Sequence, residues 1–215
     1  MPHKTIENTI PVLAVSSLDR SNEWLVMKDP GLTSTPMLSR AKLEQGLSDI
    51  LLSPRDDGVL RMIVQRPEVN ERRTIQEGIL TLEDGLVGDN WKARRRAHPD
   101  MQLTLMNARV AALVAQDPSR WPLAGDQLYV DLDLSSENLP AGTHLRVGSA
   151  LVAITAIPHL GCSKFVARFG RDARDFVNSE TGCRLNLRGV NARVVEGGAI
   201  EVGSTVTVVE RGSAQ

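Results

Sequence analysis

The chain has 215 residues, 41% of them apolar and 24% charged, the balance of an ordinary globular protein with enough length for one large domain or two small ones. Its 25 Lys and Arg against 26 Asp and Glu argue against a general binder of nucleic acid or anionic membrane, functions that rest on neutralising phosphate. No apolar run reaches the roughly 18 residues of a membrane span. The start, Met1 to Ile10, has no basic opening or apolar core of a signal peptide, so a cytoplasmic protein is expected. Cys162 and Cys183 form no CxxC pair and are too few for a disulfide scaffold, which leaves free thiols, and the four histidines are not spaced as a zinc pair.

In chain order, the stretch from Ser16 to Pro36 is turn-rich, with Asp29-Pro30-Gly31 as a break. The spacing predicts a helix from Ser39 to Leu52, capped by Ser39, with Leu43, Leu47, Ile50 and Leu51 on one face and Ser53-Pro54 as its stop. Short strands follow: 59–65, with Leu60, Met62 and Val64 alternating, and 101–106, with Leu103 and Leu105 on one face. A second helix is predicted from Asn107, its cap, to Gln116, with Val110, Leu113 and Val114 as the apolar stripe. Leu128 to Leu134 keeps a strict period of two, and Leu145-Arg146-Val147 follows after a Pro-Ala-Gly turn. Ala150 to Ile157 is an almost unbroken apolar strand suited to burial on both faces. The last strands are 191–195 and 205–209, separated by Gly197-Gly198 and Gly203. Many short strands with Gly and Pro turns and few helices predict a mainly-β, closed or partly closed barrel with peripheral helices. Nothing marks a domain boundary.

The segment Pro158-His159-Leu160-Gly161-Cys162-Ser163-Lys164-Phe165 carries the most chemical information. An apolar strand ends before it, and Phe165, Val166, Phe169 and the stop Gly170 describe a helix after it, so Cys162 falls where a loop meets a helix start. Exposed N–H groups and Lys164 would favour the thiolate there, the form that attacks sulfur, carries a persulfide or binds a soft metal. A small buried cysteine filling a strand end is the competing reading. Lys164 and Arg168 share a helix face that would line an anion site or face water. His159 is a base for the thiol or a plain loop residue. Gly85-Leu86-Val87-Gly88-Asp89 is a turn able to bring backbone N–H groups to a ligand, or an ordinary connection. Lys92, Arg94, Arg95 and Arg96 are a phosphate-matching cluster or a solvated loop. Cys183 has no such context and reads as a structural or surface thiol.

These pieces resemble the MOSC family, the C-terminal domain of molybdenum cofactor sulfurases and a stand-alone bacterial protein type. The resemblance rests on Gly85-Leu86-Val87-Gly88-Asp89, Gln102-Leu103-Thr104-Leu105-Met106, Gly125-Asp126-Gln127-Leu128 and Leu139-Pro140-Ala141-Gly142-Thr143. It continues in Gly161-Cys162-Ser163-Lys164-Phe165 with Arg168-Phe169-Gly170, then in Arg188-Gly189-Val190-Asn191-Ala192-Arg193-Val194. It implies a single domain over 1–215, with a barrel-like core at about 78–208 onto which 1–77 packs. It further implies one functional cysteine, Cys162, that ligates molybdenum of the molybdenum cofactor or carries sulfur as a persulfide. Lys164, Arg168, Gly88, Asp89, Arg94, Arg95, Arg96 and Gln102 are the expected cofactor-binding residues. Some cofactor-bearing relatives reduce N-hydroxylated compounds; a non-catalytic cofactor- or protein-binding domain is the third reading. Many members carry a histidine after the glycine–aspartate pair, where this chain has Asn90-Trp91. A chain of this length has no room for a pyridoxal-phosphate-dependent desulfurase, so a separate cysteine desulfurase is the expected sulfur donor and a molybdoenzyme the expected acceptor.

Overall fold

The computed structural model describes residues 26–28, 35–94 and 97–213. The Asp29-Pro30-Gly31 break, Arg95 and Arg96 lie outside the described residues. In chain order the elements are β1 (Val26–Lys28), α1 (Arg40–Gln45), α2 (Leu47–Ile50), β2 (Asp57–Gln65), β3 (Glu71–Ile75), β4 (Glu77–Thr81) and β5 (Gly85–Leu86). Then come β6 (Leu103–Asn107), α3 (Ala108–Ala115), β7 (Leu128–Asp131), β8 (His144–Val147) and β9 (Ala150–Ile154). The chain ends with α4 (Ser163–Phe169), α5 (Arg171–Val177), α6 (Glu180–Arg184), β10 (Val190–Glu196), β11 (Gly198–Glu201) and β12 (Thr205–Glu210).

The fold is mainly β. Seven strands, in the order β2-β12-β8-β9-β10-β6-β7, close into a mixed barrel when β7 pairs back onto β2. β6 and β7 run parallel, and the other neighbours are antiparallel. Closure leaves the barrel strands without free edges. β3 and β1 extend the sheet from β2, and β11-β4-β5 forms a small second sheet. Alternate side chains fill the interior: Leu103 and Leu105 from β6, Leu128 and Val130 from β7, Leu145 and Val147 from β8. The outer faces of β2, β6 and β7 carry Val64, Met106 and Tyr129, which pack with Leu43, Val110, Val114, Phe165, Phe169 and Phe176 of the helices into a second core. The Tyr129 hydroxyl, enclosed in this layer, donates to the Trp121 carbonyl at 2.6 Å.

Several local expectations are corrected. The helix expected over 39–52 breaks at Gly46, where a Cβ would meet the Leu113 methyls at 2.6 Å, so the break lets the chain approach α3 closely. Ser39 stands at the N-cap without a side-chain cap bond, and the Arg40 N–H, the first of the helix, donates to Asp172 of α5 at 2.9 Å; Leu51 is 63% exposed. In β2, a register shift against β7 between Leu60 and Met62 breaks the alternation. Leu60 and Ile63 therefore enter the barrel, while Met62 and Val64 face the helices. Finally, Gly198 opens strand β11 rather than a loop, and the apolar strand expected to Ile157 ends at Ile154. The helix expected over 107–116 is present as α3, with the Asn107 side chain accepting from Arg109 N–H.

Candidate functional site

After β9 the chain runs through an irregular stretch and reaches Gly161, which lies against the end of α5. The Asn178 side chain, just beyond α5, grips that residue from both sides: Gly161 N–H donates to Oδ1 at 2.7 Å, and Nδ2 donates to the Gly161 carbonyl at 2.9 Å. A Cβ at Gly161 would lie 3.1 Å from Val177 and 3.2 Å from Asn178, so the residue is small where the loop presses on α5. Cys162 follows in extended backbone as the N-cap of α4, its carbonyl accepting the first helical bond from Val166 N–H at 3.1 Å. Phe165 and Phe169 anchor that helix in the outer core, and its exposed face carries Cys162 and Lys164.

Cys162 lines a cleft of about 380 Å³ together with Lys164, Arg168, Arg66, Arg72, Arg94 and Arg188; Glu68 is the acid in this lining. Partial burial pushes the Cys162 thiol up, but the backbone N–H groups of Phe165 and Lys164 and the Arg188 guanidinium outweigh it, and the thiol lies below its ordinary value. Arg94 responds to the same positive field: burial lowers its pKa first, then repulsion from Arg66, with Arg72 adding to it and Asp89 opposing. Arg168 donates to the Leu123 carbonyl at 2.8 Å, and Arg94 Nε to Asn90 Oδ1 at 3.0 Å.

Two buried ion pairs hold the cationic wall. Arg66 is bidentate to Asp89, at 2.7 and 2.9 Å, and gives its remaining nitrogen to the Gly125 carbonyl at 2.6 Å. Arg188 reaches both oxygens of Asp126, at 3.0 and 2.7 Å, donates to the Ala124 carbonyl at 2.9 Å, and lies 5.1 Å over the Phe165 ring. His159 faces Asp126 with Nδ1 at 3.5 Å, too long a reach for a good hydrogen bond. Burial, with Arg188 beside it, pushes the imidazole down to about 3 against the pull of Asp126, so it stays neutral. His159 Nδ1, Arg188 Nε and Asn191 Oδ1 are enclosed without a hydrogen-bond partner.

The structure thus gathers four of the expected residues, Cys162, Lys164, Arg168 and Arg94, in one cleft. Gly88, Asp89 and Gln102 are not among its lining. The Asp89 carboxylate is spent on Arg66 and on Trp91 N–H, and Gly88 packs against the Gln65 amide. Gln102 bridges strands, donating to the Leu82 carbonyl and accepting from Val194 N–H. Asp89 therefore reaches the cleft through Arg66, not directly. Sequence reasoning missed Arg66, Arg72 and Arg188 as cleft residues. Arg66 had a faint signal, a charge placed directly after the end of β2; Arg188 and Asp126 lay inside quoted motifs whose pairing in space no spacing reveals.

No family model and no curated protein matches the chain. Among solved structures it is similar to a hypothetical protein, at 21% identity over 73% of this chain and 69% of that one, with a TM-score of 0.53. It is similar to YiiM from Escherichia coli, at 21% identity over 73% of this chain and 72% of that one, with a TM-score of 0.50. YuaD from Bacillus subtilis is 16% identical over 70% of this chain and 94% of that one, with a TM-score of 0.49. At 21% identity the first two likenesses speak to the fold alone, and that fold is MOSC-like. Among the described residues no helix is long and apolar enough to cross a membrane.

Proposed function

We propose that this chain is a MOSC-type domain whose Cys162 thiolate ligates the metal of a molybdenum cofactor, with the surrounding basic side chains holding the anionic groups of the cofactor. The observation that carries this reading is one exposed thiol of lowered pKa in a cleft with six cations. The residues fit the group. A thiolate is a soft ligand. Among the described residues, no group of three or more His, Cys, Asp and Glu side chains is placed to hold a metal ion alone, so a metal here has to bring its other ligands with it. When bound, the cofactor supplies the redox step. The protein's own residues bind and orient: Lys164, Arg168 and Arg94 would meet anionic oxygens, and Arg188, from a position fixed by Asp126, adds to the Phe165 and Lys164 N–H groups in favouring the thiolate. Reduction of N-hydroxylated compounds is the activity to assay in the loaded protein.

The same lowered pKa favours a second reading, a sulfur carrier. In that role the Cys162 thiolate attacks the terminal sulfur of a donor persulfide, releases the donor thiolate, and passes the sulfur to a cofactor-maturing acceptor; the donor is a cysteine desulfurase and the acceptor a molybdoenzyme. One experiment separates the two. Protein from a cofactor-competent host is analysed for molybdenum and for intact mass, as wild type, Cys162→Ala and Cys183→Ala. Near-stoichiometric molybdenum that disappears only in Cys162→Ala supports the first reading, and a gain of one sulfur on Cys162 without metal supports the second. Both fail if Cys162→Ala changes neither quantity.

A further inference from the structure

A second cleft, of about 520 Å³, is lined by the stretch that leads from β9 toward Cys162, residues 154–160. His159 and Asn191 line both clefts and so stand between them. The two differ in character. Among the described residues, none of the side chains lining the second cleft is Asp, Glu, Lys or Arg; its wall includes Leu139, Pro140, Ile157, Leu160 and Val177, with Cys183 among them. Leu160 is 52% exposed.

We propose that this second cleft binds an uncharged, mainly apolar small molecule that carries a hydrogen-bond donor. Four observations support it. The volume falls within the roughly 300–1,000 Å³ of small-molecule sites, which pair an apolar lining with a few placed polar groups. Asn191 is 0% exposed, and its Oδ1 has no donor although its Nδ2 is fixed on the Ile157 carbonyl at 2.9 Å. A carbonyl enclosed in this way is costly until a donor meets it. His159, the shared wall, is held neutral by burial. An anion would find no cation to pair with there, and a charge moved out of water without a partner is strongly disfavoured.

Cys183, an exposed thiol among the lining residues, serves as the reporter. In a Cys162→Ser background only Cys183 takes up N-ethylmaleimide, and site-resolved mass spectrometry follows the rate. Indole is the probe, a neutral bicycle with one N–H; N-methylindole lacks the donor, and indoleacetate adds a negative charge. At about four times its dissociation constant indole slows labelling about fivefold by simple occupancy. N-methylindole protects less at the same concentration, and indoleacetate does not protect. Leu160→Asp, a change at an exposed side chain, removes the protection by indole while the melting temperature stays that of the background variant. Equal protection by all three compounds, protection by none up to their solubility, or protection that survives Leu160→Asp would each overturn the proposal. Because the readout uses neither cofactor nor Cys162, its failure leaves the proposed function of Cys162 untouched.

Discussion

The ionisation of Cys162 is set by groups that act at different ranges. Desolvation at the cleft wall opposes the charge, while the first N–H groups of α4 and the Arg188 guanidinium favour it, and the second set prevails. Cys162 therefore reacts with iodoacetamide along a pH profile whose midpoint lies below the roughly 8.5 of a free thiol. Salt moves that midpoint upward, because screening weakens the attraction of the cleft cations. The charge of the reagent supplies a sharper test. Iodoacetate is drawn toward Lys164, Arg168 and Arg94, whereas Cys183 lies in a lining without Lys or Arg. At low salt the iodoacetate-to-iodoacetamide rate ratio at Cys162 exceeds that at Cys183 by about tenfold, the lower end of electrostatic steering. Replacing Lys164, Arg168 and Arg94 together by Gln brings the ratios together. Equal ratios in the unmodified protein would mean that the cations do not act on this thiol.

At the scale of elements, the thiol is placed by a loop-to-helix clamp. Asn178 ends α5 and bonds both the N–H and the carbonyl of Gly161, and these two bonds tie the start of α4 to the end of α5. Asn178→Ala removes both and leaves the Gly161 groups without a side-chain partner, a loss of about 1–3 kcal/mol in unfolding free energy. The more telling readout is the alkylation rate of Cys162 in the folded variant, where a loosened N-cap raises the midpoint of the pH profile. A variant that is less stable but keeps the wild-type profile would show that the clamp serves the fold alone. The helix α4 was legible in the sequence because Phe165, Phe169 and Gly170 state its buried face and its end. The clamp was not, because Asn178 lies 17 residues away from Gly161 and its partner is backbone. The break at Gly46 and the shift in β2 escaped for a related reason: each answers to a neighbour, Leu113 in one case and β7 in the other, that periodicity along one segment does not contain.

For the whole molecule, many short strands set off by Gly and Pro turns announced a barrel, and Leu128, Val130, Leu132 and Leu134 enter its core as their period requires, although the strand expected over 128–134 ends at Asp131. What alternation does not encode is the order of pairing, including the parallel contact of β6 with β7 and the closure of β7 onto β2. The cleft depends on that order, since Arg66, Arg94, Cys162 and Arg188, far apart in the chain, share one lining in the closed fold. The same assembly encloses His159 beside the Arg188–Asp126 pair and leaves a signature in global stability. An unfolded histidine titrates near ~6.5, and in the fold this one is pushed down to about 3 by burial and by Arg188. Between those values the unfolded chain binds a proton that the folded state refuses, so stability falls as pH is lowered through the window. His159→Gln removes that proton uptake while keeping a polar side chain. Urea unfolding at about pH 7, 6 and 5 then gives a wild-type curve that drops more steeply, by at most about 1.4 kcal/mol per pH unit for the one proton. Any deficit of the variant at neutral pH narrows toward pH 5. Parallel curves would mean that His159 accepts its proton in the folded state and is not enclosed as described.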